Sequence, residues 1–224
     1  MTPESPAKFI GFYKLLDAMK APGCPICRRL VEENRRSIES FLYESVNDPA
    51  LRDEIRKDRG FCHRHSWQLA RFGDALGSAI LFRDVLSTSL QLIEDIKPAT
   101  FLRKLPPIRP VSEVCLFCRL EHHFHTTLMS EMVAHISESE LKAGWQGAAM
   151  LCVPHLRELC AALRDTDARI QIIDLHRRKY LGLCEEMARL IEKQSYDHRS
   201  EETGSEKTSW LRAIEALVGM ADVE

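Results

Sequence analysis

This sequence lacks an excess of either charge. Lys and Arg total 31, Asp and Glu 33, for a net charge of −2. Nothing therefore drives the whole chain toward DNA, RNA or an anionic membrane surface, and no nucleic-acid partner is expected. Long apolar runs are also missing. None approaches the ~20 residues needed to span a bilayer, so no membrane partner is expected. The opening MTPESPAKF has no basic stretch leading into an apolar one, so no secretory signal is read and a cytoplasmic location is expected. No segment alternates convincingly between apolar and polar residues, which argues against strands. There is no glycine-rich phosphate loop, no G-x-S-x-G and no H-E-x-x-H. No catalytic residue can be named, and enzymatic activity is not the expectation.

What the chain does have is cysteine in a pattern. Cys24-Pro-Ile-Cys27 is followed by Cys62-His-Arg-His65, and Cys115-Leu-Phe-Cys118 by Cys152-Val-Pro-His155. Each half reads C-x-x-C, a long gap, then C-x-x-H, with gaps of 34 and 33 residues. Three thiolates and one imidazole are the ligand set of a closed tetrahedral metal site. Buried, unliganded cysteines would not explain the repeat. The spacing predicts two sites, Cys24, Cys27, Cys62 and His65 in the first half and Cys115, Cys118, Cys152 and His155 in the second. Zinc, two ions per chain, is the expected cofactor. An iron–sulfur cluster is the alternative, although nothing resembles the compact cysteine runs of ferredoxins.

The duplication extends past the ligands. Arg28 and Arg119 follow the second cysteine of each C-x-x-C and could offset the negative charge of a three-thiolate zinc site. The competing reading is a solvated Arg on a first helical turn. Stripes at helical spacing come next: Leu30, Ile38, Phe41, Leu42 and Val46, then Leu120, Phe124, Leu128, Met132 and Ile136. Asn47-Asp48-Pro49 predicts an N-cap with proline at the first helical position, and Ser137 to Glu140 a capping-box-like restart. Each C-x-x-H opens a further helix, and each half closes with a long one, about 75–96 and 168–193. The fold expected is all-α, two tandem pseudo-equivalent helical units of four helices. Residues 1–96 form the first, 97–114 a linker with four prolines, 115–194 the second, and 195–224 a polar tail with a terminal helix at Trp210–Val218.

Other candidates carry plainer readings. Cys160 and Cys184 lie on apolar helix faces and read as small buried hydrophobes. Glu121-His-His-Phe-His125 is histidine-dense. His122, His123 and His125 could form a second metal position or a proton relay, or simply titrate near neutrality. Glu32-Glu33 reads as a solvated helix face, as does the basic cluster His176-Arg177-Arg178-Lys179.

With CPIC-R, the VNDP turn (Val46–Pro49), GFC-x-x-H (Gly60–His65) and the tryptophan helix at Trp210 in hand, the chain resembles an uncharacterised prokaryotic family of helical proteins with duplicated CPxC…GxCxxH motifs. The second C-x-x-C departs from it by lacking proline. The resemblance implies the same fold and sites and adds nothing about activity or substrate. Closed four-ligand sites leave no position for water or substrate. The sequence therefore points to a metal-binding helical scaffold for a protein partner or small ligand. The rivals are an iron–sulfur redox or sensor protein and a helical enzyme using the His122/His125 region.

Overall fold

Capping residues set where several helices begin. Asp48 Oδ1 accepts the N–H groups of Ala50 at 2.8 Å and Leu51 at 3.2 Å, with Pro49 at the first helical position. Asp165 does the same for Asp167 at 2.9 Å and Ala168 at 3.2 Å. Both satisfy N–H groups that a helix start leaves without internal partners. The restart near Ser137 differs from expectation. The helix begins at Ser139, and Glu138 at its N-cap makes no side-chain capping bond.

The computed structural model describes residues 10–94, 115–194 and 204–223, with Lys8 and Glu202. The expected proline linker at 97–114 and most of the polar segment 195–207 lie outside these residues. Among the described residues there are ten α-helices and no strand. They are α1 (Ile10–Ala18), α2 (Pro25–Ser40), α3 (Pro49–Lys57), α4 (His63–Arg71), α5 (Ala75–Glu94), α6 (Leu116–Ala134), α7 (Ser139–Gln146), α8 (Val153–Ala162), α9 (Thr166–Glu192) and α10 (Ser209–Val218). A π-helical turn, Phe41–Ser45, follows α2. The all-α expectation holds.

The chain divides into two compact units, residues 1–31 with 125–224, and residues 32–124. These do not follow the expected boundaries at 96 and 115; each unit instead takes a C-x-x-C from one half and a C-x-x-H from the other. The physical reason is in the ligand geometry below.

In the unit 32–124, the core is Ile38, Phe41, Val46, Ile55, Phe61, Leu69, Leu81 and Phe117. Phe61 stacks on Phe117 with ring centres 5.3 Å apart, and Phe41 meets both edge-on, a favoured arrangement for ring quadrupoles. Gly60 (φ +92°) leads into Cys62, and a Cβ there would lie 2.9 Å from Val85 Cγ1. Only glycine fits both the backbone angle and the approach.

In the other unit, Phe12, Leu15, Met132, Leu141, Trp145, Leu151 and Leu159 are each 2% exposed or less. Helix α10 packs on α8 and α9 and inverts the usual amphipathic arrangement. Ser209 and Ala216 face inward, while Trp210, Leu211, Ile214, Leu217 and Val218 are 46–69% exposed. At about 100° per residue these five cover a continuous arc of roughly 120°.

Candidate metal centres

All eight predicted ligands occur in two clusters, but the pairing differs from expectation. Cys24 and Cys27 meet Cys152 and His155, whereas Cys62 and His65 meet Cys115 and Cys118. The within-half pairing is thus corrected. Each C-x-x-C joins the C-x-x-H of the other half, so the first cluster belongs to the unit 1–31 with 125–224 and the second to 32–124.

The local construction is the same four times. Each pair's first cysteine directly precedes a helix, and its carbonyl accepts the first intrahelical bond. The donors are Arg28 N–H to Cys24 at 3.1 Å, Ser66 to Cys62 at 2.9 Å, Arg119 to Cys115 at 3.0 Å and Leu156 to Cys152 at 2.9 Å. The second ligand sits three residues on, in the same first turn. Each cluster is therefore two helix N-termini brought together, α2 with α8 and α4 with α6. The partial positive charge of a helix N-terminus favours thiolate, and here four such termini face cysteine sulfur. Cys62 Sγ also accepts the His65 N–H at 3.4 Å.

The spacing fits one small ion per cluster. In the first, Cys27 and Cys152 sulfurs are 3.7 Å apart, and His155 Nδ1 lies 3.5, 3.4 and 3.0 Å from Cys24, Cys27 and Cys152. In the second, Cys62 and Cys118 sulfurs are 3.6 Å apart, and His65 Nδ1 lies 3.1, 3.5 and 3.4 Å from Cys62, Cys115 and Cys118. A zinc tetrahedron with Zn–S of about 2.3 Å and Zn–N of about 2.0 Å has edges of about 3.8 Å between sulfurs and about 3.5 Å from sulfur to nitrogen.

The donors of each cluster shift one another's protonation. Burial pushes the Cys115 thiol up, but hydrogen bonds from His65 and from the backbone of Cys62 and Cys118 hold it at about 6. Burial and the Cys115 charge push Cys118 well up. In the first cluster, burial opposes ionisation of Cys24. Hydrogen bonds from Cys152, Cys27 and His155 outweigh it and bring the thiol far down, while contacts with Cys152 and Cys24 push Cys27 far up. Thiols in contact drive one another apart in this way, and a divalent cation is the group that lets all of them ionise together. Burial pulls both histidines down, yet the adjoining cysteines, with Glu121 for His65, raise them to about 9 for His65 and about 10 for His155.

Outer partners complete each site, and most were not read from sequence. His65 Nε2 lies 3.6 Å from Glu121 Oε2, which Arg64 pairs in turn. Near His155, His125 has its ring centre 5.2 Å away and its Nε2 3.1 Å from Glu158. His125, His155 and Glu158 form a third group of potential ligands. A carboxylate beside the free nitrogen of a ligating imidazole fixes its tautomer and orientation. His122 and His123 are exposed. Arg28 donates to the Pro22 carbonyl in its own loop. Arg119 donates to Asp58 at 2.8 Å and also pairs Glu54. These contacts tie each arginine to carbonyl or carboxylate oxygen.

Helix α9 holds the loop that delivers Cys152. The Leu151 N–H donates to His176 Nε2 at 3.0 Å, while His176 Nδ1 donates to the Ile172 carbonyl at 2.8 Å. Tyr180 donates to the Leu151 carbonyl at 2.7 Å, and Lys179 to the carbonyls of Gly147 and Ala149, both at 2.6 Å. Burial lowers the His176 pKa to about 4, so the ring stays neutral, as its accepting role requires. His176 and Lys179 are thus clamps, a correction to the expected solvated basic face. The loop is tied across to the other ligand loop as well, where Met150 donates to the Gly23 carbonyl at 3.0 Å. At the far end of the chain, Gly219 (φ +93°) comes close enough that a Cβ would lie 3.4 Å from Cys27 Sγ. The backbone of Met220 hydrogen-bonds the same cysteine. Cys184 is exposed and Cys160 half-buried, so neither is the fully buried hydrophobe expected.

Residues 10–224 match a family of unknown function (DUF6062). The chain belongs to that family. It is also similar to an uncharacterized 23.9 kDa protein in the xynA 3′ region of Caldicellulosiruptor sp. (strain Rt8B.4). The two are 26% identical over 211 residues, which is 92% of this chain and 99% of that protein. No solved structure matches. Among the described residues no helix is long and apolar enough to cross a membrane.

Proposed function

We propose that this protein is a non-catalytic zinc protein. Two structural ions, one in each Cys3His cluster, would join helix N-termini into a scaffold that presents a surface to a protein partner. The observation that carries the reading is the set of donor separations, 3.0–3.7 Å in both clusters. An iron–sulfur cluster places two or more irons and bridging sulfides between its thiolates and spreads them beyond such contact. Four protein donors around one ion leave no open coordination position, which fits a structural role better than a hydrolytic one. The cytoplasm, where thiols stay reduced, is the setting we assign.

The partner surface proposed is the outward arc of α10, Trp210 to Val218. An apolar stripe of this width suits an amphipathic helix of the partner, laid along it with its own apolar residues inward. Arg212, on the flank of this arc, is already engaged with Glu186.

Metal analysis of anaerobically purified protein tests the proposal. Two zinc ions per chain, no acid-labile sulfide and no visible absorption are expected. Stoichiometric iron with sulfide would replace it with electron transfer or sensing. For the surface, a protein that co-purifies with the chain should be lost with Leu217→Asp while both metals stay. Undiminished retention would remove α10 as the docking face.

A further inference from the structure

Resting on the reading of both clusters as metal sites, we propose that Cys62 and Cys118 form an oxidation site at which a hydroperoxide discharges the second metal while the first is retained. The two clusters have near-equal sulfur separations, 3.7 Å for Cys27 and Cys152 and 3.6 Å for Cys62 and Cys118. They differ in access. Cys27 and Cys152 are both 0% exposed, and Gly219 and Met220 lie on Cys27. Cys62 and Cys118 are both only half-buried. The two cysteines of the second cluster that are not fully buried are therefore the pair whose sulfurs already lie in contact.

The chemistry balances with hydrogen peroxide or an organic hydroperoxide as the oxidant. One thiolate attacks a peroxide oxygen. The O–O bond breaks, hydroxide (or alkoxide) leaves, and a sulfenic acid forms. The second sulfur attacks the sulfenic sulfur, the S–S bond forms, and a second hydroxide departs. Two thiolates have given two electrons to the peroxide. The disulfide no longer supplies anionic donors, and Cys115 with His65 alone cannot hold a divalent ion. In the first cluster the exposed point is Cys24, 3% exposed and bordering a cavity. Its oxidation there has no comparably open partner sulfur, so it should be slow.

The test uses full-length protein first shown to carry two metal equivalents. Hydrogen peroxide is added with a chromophoric chelator, and disulfides are mapped by peptide mass spectrometry. One equivalent should leave at least tenfold faster than the other, with a Cys62–Cys118 disulfide, and thiol reductant plus metal should restore it. Cys184→Ala, outside both clusters, should behave identically. Loss of both equivalents at similar rates, loss of neither, or a disulfide elsewhere overturns this inference and leaves the metal reading standing. Fewer than two equivalents before peroxide refutes the metal reading itself, and this inference with it.

Discussion

Ligand pairing across the halves makes a sharp prediction for paired substitutions. Cys27 and Cys152 belong to one cluster, and Cys62 to the other. Each single Cys→Ser change should release one metal equivalent. Cys27→Ser with Cys152→Ser should still release only one, because the second change acts on an emptied site. Cys27→Ser with Cys62→Ser should release two. Stability should follow the same arithmetic. A structural zinc site can contribute on the order of 10 kcal/mol in small domains with little other core. Here each unit also has an apolar core, such as Phe41, Phe61 and Phe117 beside the second cluster, so a single loss should loosen one unit rather than unfold the chain. The same-cluster double should be strongly non-additive in thermal or urea unfolding, and the cross-cluster double close to additive. Native mass spectrometry with elemental analysis reads the metal count directly. If the Cys27/Cys152 double loses two equivalents and the Cys27/Cys62 double loses one, the pairing argued here is wrong and the within-half pairing is right.

Three further outcomes follow from single contacts. His176 has a folded pKa of about 4 against an ordinary value of 6.5. Its contribution is complete above pH 6.5 and is lost as pH falls toward 4, roughly 3 kcal/mol in all. Urea midpoints at pH 7.5 and 5 should therefore differ less for His176→Gln than for the parent, and equal differences would show that the ring carries no such burden. Glu121→Gln should weaken metal binding at the second cluster by about 10–100-fold while sparing the first, as competitive chelator titration would show; equal weakening of both would rule out a local role. Gly219 has φ +93° and ψ 173°, a region that essentially only glycine occupies. Gly219→Ala should cost about 1–3 kcal/mol and loosen the first metal alone, and an unchanged melting temperature and chelator affinity would contradict the contact with Cys27.

The ligands were legible because a Cys or His three residues inside a helix start leaves a periodic mark. Their pairing was not. C-x-x-C, gap, C-x-x-H reads identically whether a helix start joins the one in its own half or its counterpart in the other, and gaps of 34 and 33 residues favour neither. Which helix N-termini meet, those of α2 and α8 and those of α4 and α6, decides it. The α9 clamps were hidden for another reason. His176 and Lys179 sit among Arg177 and Arg178 and look like a charged surface, although their spacing with Tyr180 places all three on one face. Glu121 and Glu158 are single carboxylates whose role depends on a histidine far away in sequence, so no local pattern marks them.

The crossed pairing also nests one site inside the span of the other, and this sets an order of assembly. Cys115 is 50 residues from His65, whereas Cys152 is 125 from Cys27. For a flexible chain the longer closure costs about 0.8 kcal/mol more, and prior closure of the inner loop shortens the outer one. During synthesis the inner site has all its ligands once residue 118 is made, while Cys24 and Cys27 must wait for His155. Cys27 then waits again for Met220, 193 residues further along the chain. Of the two C-x-x-C pairs, the one that leaves the ribosome earlier is thus the later to be fully enclosed, and until His155 is made its thiols are the more in need of protection.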